Sequence, residues 1–251
     1  MSGHLALPEF YRPIYFPSVG STNDEARKLA EQGAAEGTLI RAGEQTAGRG
    51  RRGRGWQSPP GNLYLSLVLR PGKPAAEASQ IGFVAAVALA EALGDVGIAG
   101  GRVRLKWPND VLVDGAKVAG ILIETSAAIG SAPEWLVLGM GVNVAHAPAD
   151  TPYPAATLRT AMPALTVEAA LEALAARLAG WYGRWLAQGF GPVRAAWLGR
   201  AVGLGAAIEV RLERQTLTGR FAALEEDGTL LLEQPDGDRR RISVGDVFFP
   251  R

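Results

Sequence analysis

Leu63, Leu65, Leu67 and Leu69 alternate with Tyr64, Ser66, Val68 and Arg70. A period of two places the leucines in one row on one face of a pleated strand, and a row of four leucines has to be covered. The cover is predicted over 77–93, where Ile81, Val84, Ala85, Ala88, Leu89 and Ala92 recur at helical spacing. A sheet with a helix laid across it is therefore the first constraint on the fold. The chain has 251 residues, 47% of them hydrophobic, enough for one good-sized core and a small appendage.

Further strands are expected at 38–44, 103–107, 117–125 and 134–142, with Pro108-Asn109-Asp110 and the Asp114-Gly115 turn between the second and third of these. Thr22 and Glu25 have capping-box spacing and predict a helix running to Gln32, stopped by Gly33. The Pro-rich stretch 147–163 reads as a long loop and 167–186 as a helix. Past residue 200 the pattern becomes short alternating strands punctuated by Asp227-Gly228 and Asp236-Gly237, the signature of a small β-barrel leaning on its larger neighbour. The expectation is an α+β fold, a mixed sheet covered by helices on one side over 1–200, with the barrel over 201–251.

Charge and composition remove several classes of function. The 26 basic and 25 acidic residues leave a formal charge of +1, so no whole-molecule field recruits nucleic acid or an anionic membrane. No cysteine is present, which excludes disulfides, thiolate metal sites and cysteine nucleophiles. Residues 1–13 carry no secretory pattern, and the longest apolar run, 81–90, falls short of the roughly 20 residues of a membrane span. A cytoplasmic protein without membrane contact is expected.

The densest chemical signal lies between two predicted strands. From Gln45 to Trp56 the chain holds four arginines and four glycines. Glycine lets backbone approach a ligand and arginine offers planar, permanent donors for phosphate, so the segment reads as a flap over a polyanion. Taken alone, a solvated basic loop or an RGG-like nucleic-acid segment would look the same. Lys106-Trp107-Pro108-Asn109-Asp110 ends one strand and Lys117 begins the next. Two lysines beside an amide and a carboxylate suit ATP phosphates and a hydrated Mg²⁺, although an ordinary turn also favours Pro, Asn and Asp. Gly139-Met140-Gly141-Val142-Asn143 closes a strand with glycines that would admit a nucleotide to the backbone, while Ser21, Thr22 and Asn23 also serve as helix caps.

In this order the segments resemble the biotin protein ligase family, with motifs from about Val19 to Asn143 and a looser likeness through the C-terminal barrel. The resemblance implies a class II synthetase-like catalytic domain with an SH3-like barrel, and an enzyme that makes biotinyl-5'-AMP from biotin and ATP and passes biotin to a lysine of a carrier domain. It implies that Ser21, Thr22, Asn23 and Gln45 bind the biotin ring and that Arg49, Gly50 and Arg51 close over it, with Arg51 nearest the carboxylate and α-phosphate. Lys117 would hold the attacking carboxylate; Arg54, Trp56, Lys106, Asn109 and Asn143 would serve ATP, and Asn109 with Asp110 would hold Mg²⁺. Trp107 or Leu122 would line the apolar slot.

Some members carry an N-terminal helix-turn-helix domain and repress transcription; about twenty residues precede Ser21, so no DNA partner is expected. The implied partner is a biotin carboxyl carrier domain of a carboxylase. An edge at 134–143 would allow a homodimer by sheet extension, unless that strand is internal. The nearest rival is a lipoate protein ligase, against which the Gly-Arg flap and Lys-Trp-Pro-Asn-Asp argue.

Overall fold

The computed structural model describes residues 5–126 and 132–249, so the outermost residues of the two expected units, 1–4 and 250–251, lie outside it. The first elements along the chain are β1 (Arg12–Val19), α1 (Thr22–Glu31), β2 (Thr38–Gln45), β3 (Leu63–Leu69), α2 (Ala75–Ala78) and α3 (Ile81–Asp95). Strands β4 (Val103–Lys106), β5 (Asp110–Val113), β6 (Ala116–Thr125) and β7 (Leu136–Val142) follow, then α4 (Leu158–Ala161), α5 (Val167–Gln188) and α6 (Phe190–Leu198). The chain ends in β8 (Ala207–Arg211), β9 (Thr216–Leu224), β10 (Leu230–Glu233), β11 (Arg239–Ile242) and β12 (Asp246–Phe248).

The first sheet has the order β1-β2-β3-β7-β6-β5-β4, with β1 and β2 parallel and the other pairs antiparallel. The mixed sheet is as expected, but its cover is not one-sided. The four leucines of β3 join the large core formed with α3, α5 and α6, each contributing about 1.5–3 kcal/mol by burial. On the opposite face α1 lays Ala26 and Ala30 over Ile40, Val68 and Val137. Both rows of β3 are therefore buried, and Ser66, on the face opposite the leucines, is wholly buried beneath the start of α1.

Several local expectations change for the same reason, that neighbours recruit groups the local pattern assigns elsewhere. Ser21 is the N-cap residue of α1 and makes no side-chain cap; the Thr22 hydroxyl donates to Gln45 Oε1 instead of capping its own helix. The helix ends near Gly33, whose φ of +86° suits glycine. β1, β5, α4 and α6 are additional to the elements expected from periodicity, α4 lying inside the stretch 147–163 read as a loop. β7 lies between β3 and β6, so the strand considered for sheet extension is internal and offers no edge. The segment Ala75–Asp95 is apolar and long enough to cross a membrane by composition, but it is mostly buried, α3 lying under α5 and α6.

The second sheet has the order β11-β10-β9-β8-β12, an antiparallel series consistent with the expected small barrel. Gly228 and Gly237, at φ +86° and +90°, make the turns on either side of β10. Its apolar residues, including Ile208, Phe221, Leu230 and Val247, belong to the same core as the first sheet. Trp107 Nε1 donates to Gly228 O at 3.1 Å, and Leu105 exchanges backbone hydrogen bonds with Arg200 and Val202. These contacts bring β12 to the mouth of the cavity described next.

Candidate active site

A cavity of about 230 Å³ opens where the start of α1, the 45–56 segment, the β4–β5 turn, β6, β7 and β12 meet. Its floor is a hydrogen-bonded array. Gln45 Oε1 accepts from Thr22 N at 2.8 Å and Thr22 Oγ1 at 3.0 Å, and Gln45 Nε2 donates to Ser58 Oγ at 2.9 Å. Ser66 Oγ lies 2.8 Å from Thr22 Oγ1 and 2.6 Å from Asn23 Oδ1. Ser21, Thr22, Asn23 and Ser66 are all buried, and a satisfied polar floor of this kind fixes its donors and acceptors before any ligand arrives. Gly139 and Gly141 were expected to give room to a nucleotide; the room they leave is taken by Asn23 and by the Trp56 indole, which a Cβ at either position would strike. Gly139→Ala is accordingly expected to lower stability by about 1–3 kcal/mol in thermal unfolding. Wild-type stability in that variant would mean that Asn23 swings aside freely.

The arginine segment folds as a short antiparallel loop across this floor. Arg49 bridges Gly55, Gly50 N donates to Arg54 O at 2.6 Å, and Trp56 N donates to Gly48 O at 2.9 Å. Gly48 packs too tightly for any side chain, since a Cβ there would meet Ser58 Oγ and Trp56 O. Arg51, Arg52 and Arg54 converge on Asp246 of β12 at 3.9, 3.5 and 3.0 Å, and Arg51 also reaches Asn109 Oδ1 and Gly245 O at 3.3 Å. Burial lowers the Arg51 pKa from its usual value and the Asp246 carboxylate opposes that shift. Trp56 Nε1 is buried against Gly141 and has no hydrogen-bond partner among the described residues.

The other wall concentrates positive charge. Lys117 Nζ lies 2.5 Å from Asp110 Oδ1, an ion pair whose angles are not those of a hydrogen bond, and Lys106 Nζ lies 3.8 Å from Asp110 Oδ2. Both ammonium groups lie over the Tyr153 ring, at 4.9 and 5.2 Å, with Phe248 beside Lys106 and Trp56 beside Lys117. Two cations share one carboxylate in a largely buried aromatic cage, leaving one net positive charge for an anion. Burial lowers the Lys106 pKa, Asp110 resists the shift and Lys117 adds to it.

Of the expected site residues, Ser21, Thr22, Asn23, Gln45, Arg49, Gly50, Arg51, Arg54, Trp56, Lys106, Asn109, Asp110 and Lys117 all line the cavity, as do Trp107 and Leu122. Asn143 does not: its backbone links Val118 to Leu158 behind β7. The pair expected to hold Mg²⁺ faces protein cations, Asn109 Oδ1 receiving Arg51 and Asp110 the two lysines. No cluster of three His, Asp or Glu side chains suited to a metal occurs among the described residues. Sequence reasoning passed over Tyr153, Asp246 and Phe248. Tyr153 lies in the stretch read as a plain loop, stitched to β6 by Lys117 N donating to Pro154 O, and the other two arrive from the second sheet.

Comparison with known proteins follows the same outline. Residues 15–143 match the biotin/lipoate A/B protein ligase family and residues 203–249 the biotin protein ligase C-terminal domain. A biotin–[acetyl-CoA-carboxylase] ligase of Paracoccus denitrificans is 43% identical over 235 residues, 91% of this chain and 97% of the relative. The bifunctional ligase/repressor of Bacillus subtilis is 33% identical over 92% of this chain and 72% of its own length. Among solved structures, a biotin protein ligase from Aquifex aeolicus in complex with biotin and ATP matches with a TM-score of 0.82 at 28% identity, covering 96% of this chain and 100% of that one.

Proposed function

Because the chain belongs to the biotin/lipoate A/B protein ligase family, we propose that it is a biotin protein ligase, joining biotin to a lysine of a biotin carboxyl carrier domain through biotinyl-5'-AMP. The observation that carries this reading is the arginine flap lying over a polar floor, with the Lys106–Asp110–Lys117 cluster at its side. The C-terminal match favours biotin over lipoate.

A carboxylate oxygen is a poor leaving group, so the acid has to be activated. The biotin carboxylate attacks the α-phosphorus of ATP, the bond to the β-phosphate oxygen breaks, and pyrophosphate leaves; charge neutralisation and alignment do most of the work. Ser21, Thr22, Asn23 and Gln45 hold the ureido ring, while Arg49, Gly50 and Arg51 cover it. Lys117, aimed by Asp110, steadies the attacking carboxylate, and Lys106 faces the phosphates with Arg51 and Arg54. Trp56 and Asn109 complete the nucleotide side. Asp110 is engaged by the two lysines and Asn109 by Arg51, so neither is free to hold Mg²⁺; the charge neutralisation that Mg²⁺ would supply falls, among the protein's own groups, to Lys106, Arg51 and Arg54. In the second half-reaction the neutral ε-amine of the acceptor lysine attacks the acyl carbon. The acyl–phosphate bond breaks, AMP leaves as a stable anion, and the ammonium formed releases its proton.

Residues 1–200 act as the catalytic unit and 201–251 as the small unit that lends Asp246 and Phe248 to the cavity. A cytoplasmic location is part of this reading, because the reaction draws on ATP and a carboxylase acceptor. Calorimetric titration with biotin, then biotin with Mg-ATP, followed by mass spectrometry for biotinyl-AMP and a biotinylated carrier domain, tests the reading. Adenylate formed from biotin is the expected result; adenylate formed from lipoate alone would transfer the chain to the rival substrate, and neither would end the proposal.

A further inference from the structure

Glu124 of β6 lies outside the cavity wall and has no part in the reaction above. Its Oε2 accepts from Asn23 Nδ2 at 2.7 Å, while Arg49 of the flap reaches its Oε1 at 3.3 Å and Asp24 Oδ1 at 2.7 Å. The Asn23 amide is buried, and its Oδ1 accepts from Ser66 Oγ at 2.6 Å. An amide can be turned end for end without a change of shape, and a hydroxyl such as Ser66 can meet either end because it both donates and accepts. A carboxylate only accepts. Glu124 therefore decides that Asn23 presents Nδ2 to β6 and Oδ1 to Ser66. From there the contacts continue through Thr22, Gln45 and Ser58 to the carbonyl of Trp56, at the far end of the flap. Both ends of the flap are thus tied to one polar array, and Glu124 is its acceptor-only terminus.

We propose that Glu124 is a positioning residue that clamps Arg49 of the flap to Asn23 on the cavity floor, so that one carboxylate sets both flap closure and the orientation of the ligand-reading amide. Asp24 is the second arm of the clamp on Arg49. The Arg49 pairs are partly exposed, and ion pairs of that kind are weak, which leaves the flap free to open for substrate and product. Only the ligand arm of this proposal rests on the biotin reading; the clamp itself does not.

The test compares full-length wild type with Glu124→Ala and Glu124→Gln by hydrogen exchange across residues 45–56, without and with biotin, alongside steady-state kinetics and thermal unfolding. Without ligand, exchange of the flap amides is expected to rise about two- to fivefold in Glu124→Ala, the range that the loss of one partly exposed ion pair supplies. The KM for biotin rises by a similar factor, while the KM for ATP and kcat stay within about twofold. Glu124→Gln offers Asn23 an acceptor but also a donor, so it no longer fixes which end of the amide faces β6, and it lacks the charge for Arg49; the biotin KM is expected between those of wild type and Glu124→Ala, with the flap exchange raised. A merely structural role would instead shift both KM values together with the unfolding temperature and show no such split between the two variants. Unchanged flap exchange in ligand-free Glu124→Ala overturns the clamp. Wild-type protein that fails to bind biotin overturns the functional reading, and the ligand-free comparison still decides the clamp.

Discussion

Lys117→Met is expected to slow biotinyl-adenylate formation by about 10²–10³-fold with little change in fold, the range seen when a preorganised donor is removed from a developing charge. Lys117 and Lys106 share Asp110, so the cluster bears one net positive charge; without Lys117 it bears none, where a carboxylate and a polyphosphate have to meet. Methionine keeps the length of the stem against Trp56 and Tyr153, and Asp110 retains Lys106, so no buried carboxylate is orphaned. Rapid-quench single turnover, with mass detection of the adenylate, measures the step directly. A loss of less than tenfold would assign the work to Lys106. The pH profile separates the two lysines further. Burial lowers the Lys106 pKa, so its ammonium is lost at lower pH than that of an exposed lysine, and kcat/KM for ATP falls as pH rises through that value. Lys106→Arg, which stays charged, is expected to move that alkaline limb upward.

How much of this was readable in advance depended on whether the cause was local. The leucine alternation of β3 and the Asp-Gly turns depend on near neighbours, and each appears where the pattern puts it. The flap, the Lys-Trp-Pro-Asn-Asp turn and Lys117 were legible because their residue types have few other uses in that spacing, and they all reach one cavity. Thr22 misled for a physical reason: a hydroxyl at a helix start reads as a cap until a neighbouring strand offers it another partner, here Gln45 of β2, with Ser66 of β3 beneath it. Asn143 closes the motif in sequence, yet the chain turns there into backbone pairing with Val118 and Leu158, which keeps it off the cavity wall. Tyr153, Asp246 and Glu124 have ordinary sequence surroundings and become meaningful only through partners far along the chain, such as Lys106, Arg54 and Asn23.

Asp246 yields the second large effect, because one carboxylate on the second sheet is shared by three guanidinium groups of the flap. Asp246→Lys replaces that carboxylate with a fourth cation. A like-charge pair about 4 Å apart costs up to about 4 kcal/mol at partly buried sites, and screening reduces this for Arg54, whose side chain is half exposed. The flap is then expected to detach from β12, the KM for ATP to rise by at least about tenfold, and biotinyl-AMP to escape into solution faster than it is transferred. Asp246→Asn, which removes the charge without reversing it, is expected to raise the KM for ATP only a few-fold. Adenylate trapped by filtration after a single turnover measures the leak, and the difference between Asn and Lys should shrink at high salt because these charges are partly exposed. The sign of the Asn effect decides between two roles for the carboxylate. A raised KM means that Asp246 orders the arginines for phosphate; a lowered KM would mean that it repels the phosphates, and the second sheet would then act as a brake on ATP binding rather than a support for the flap.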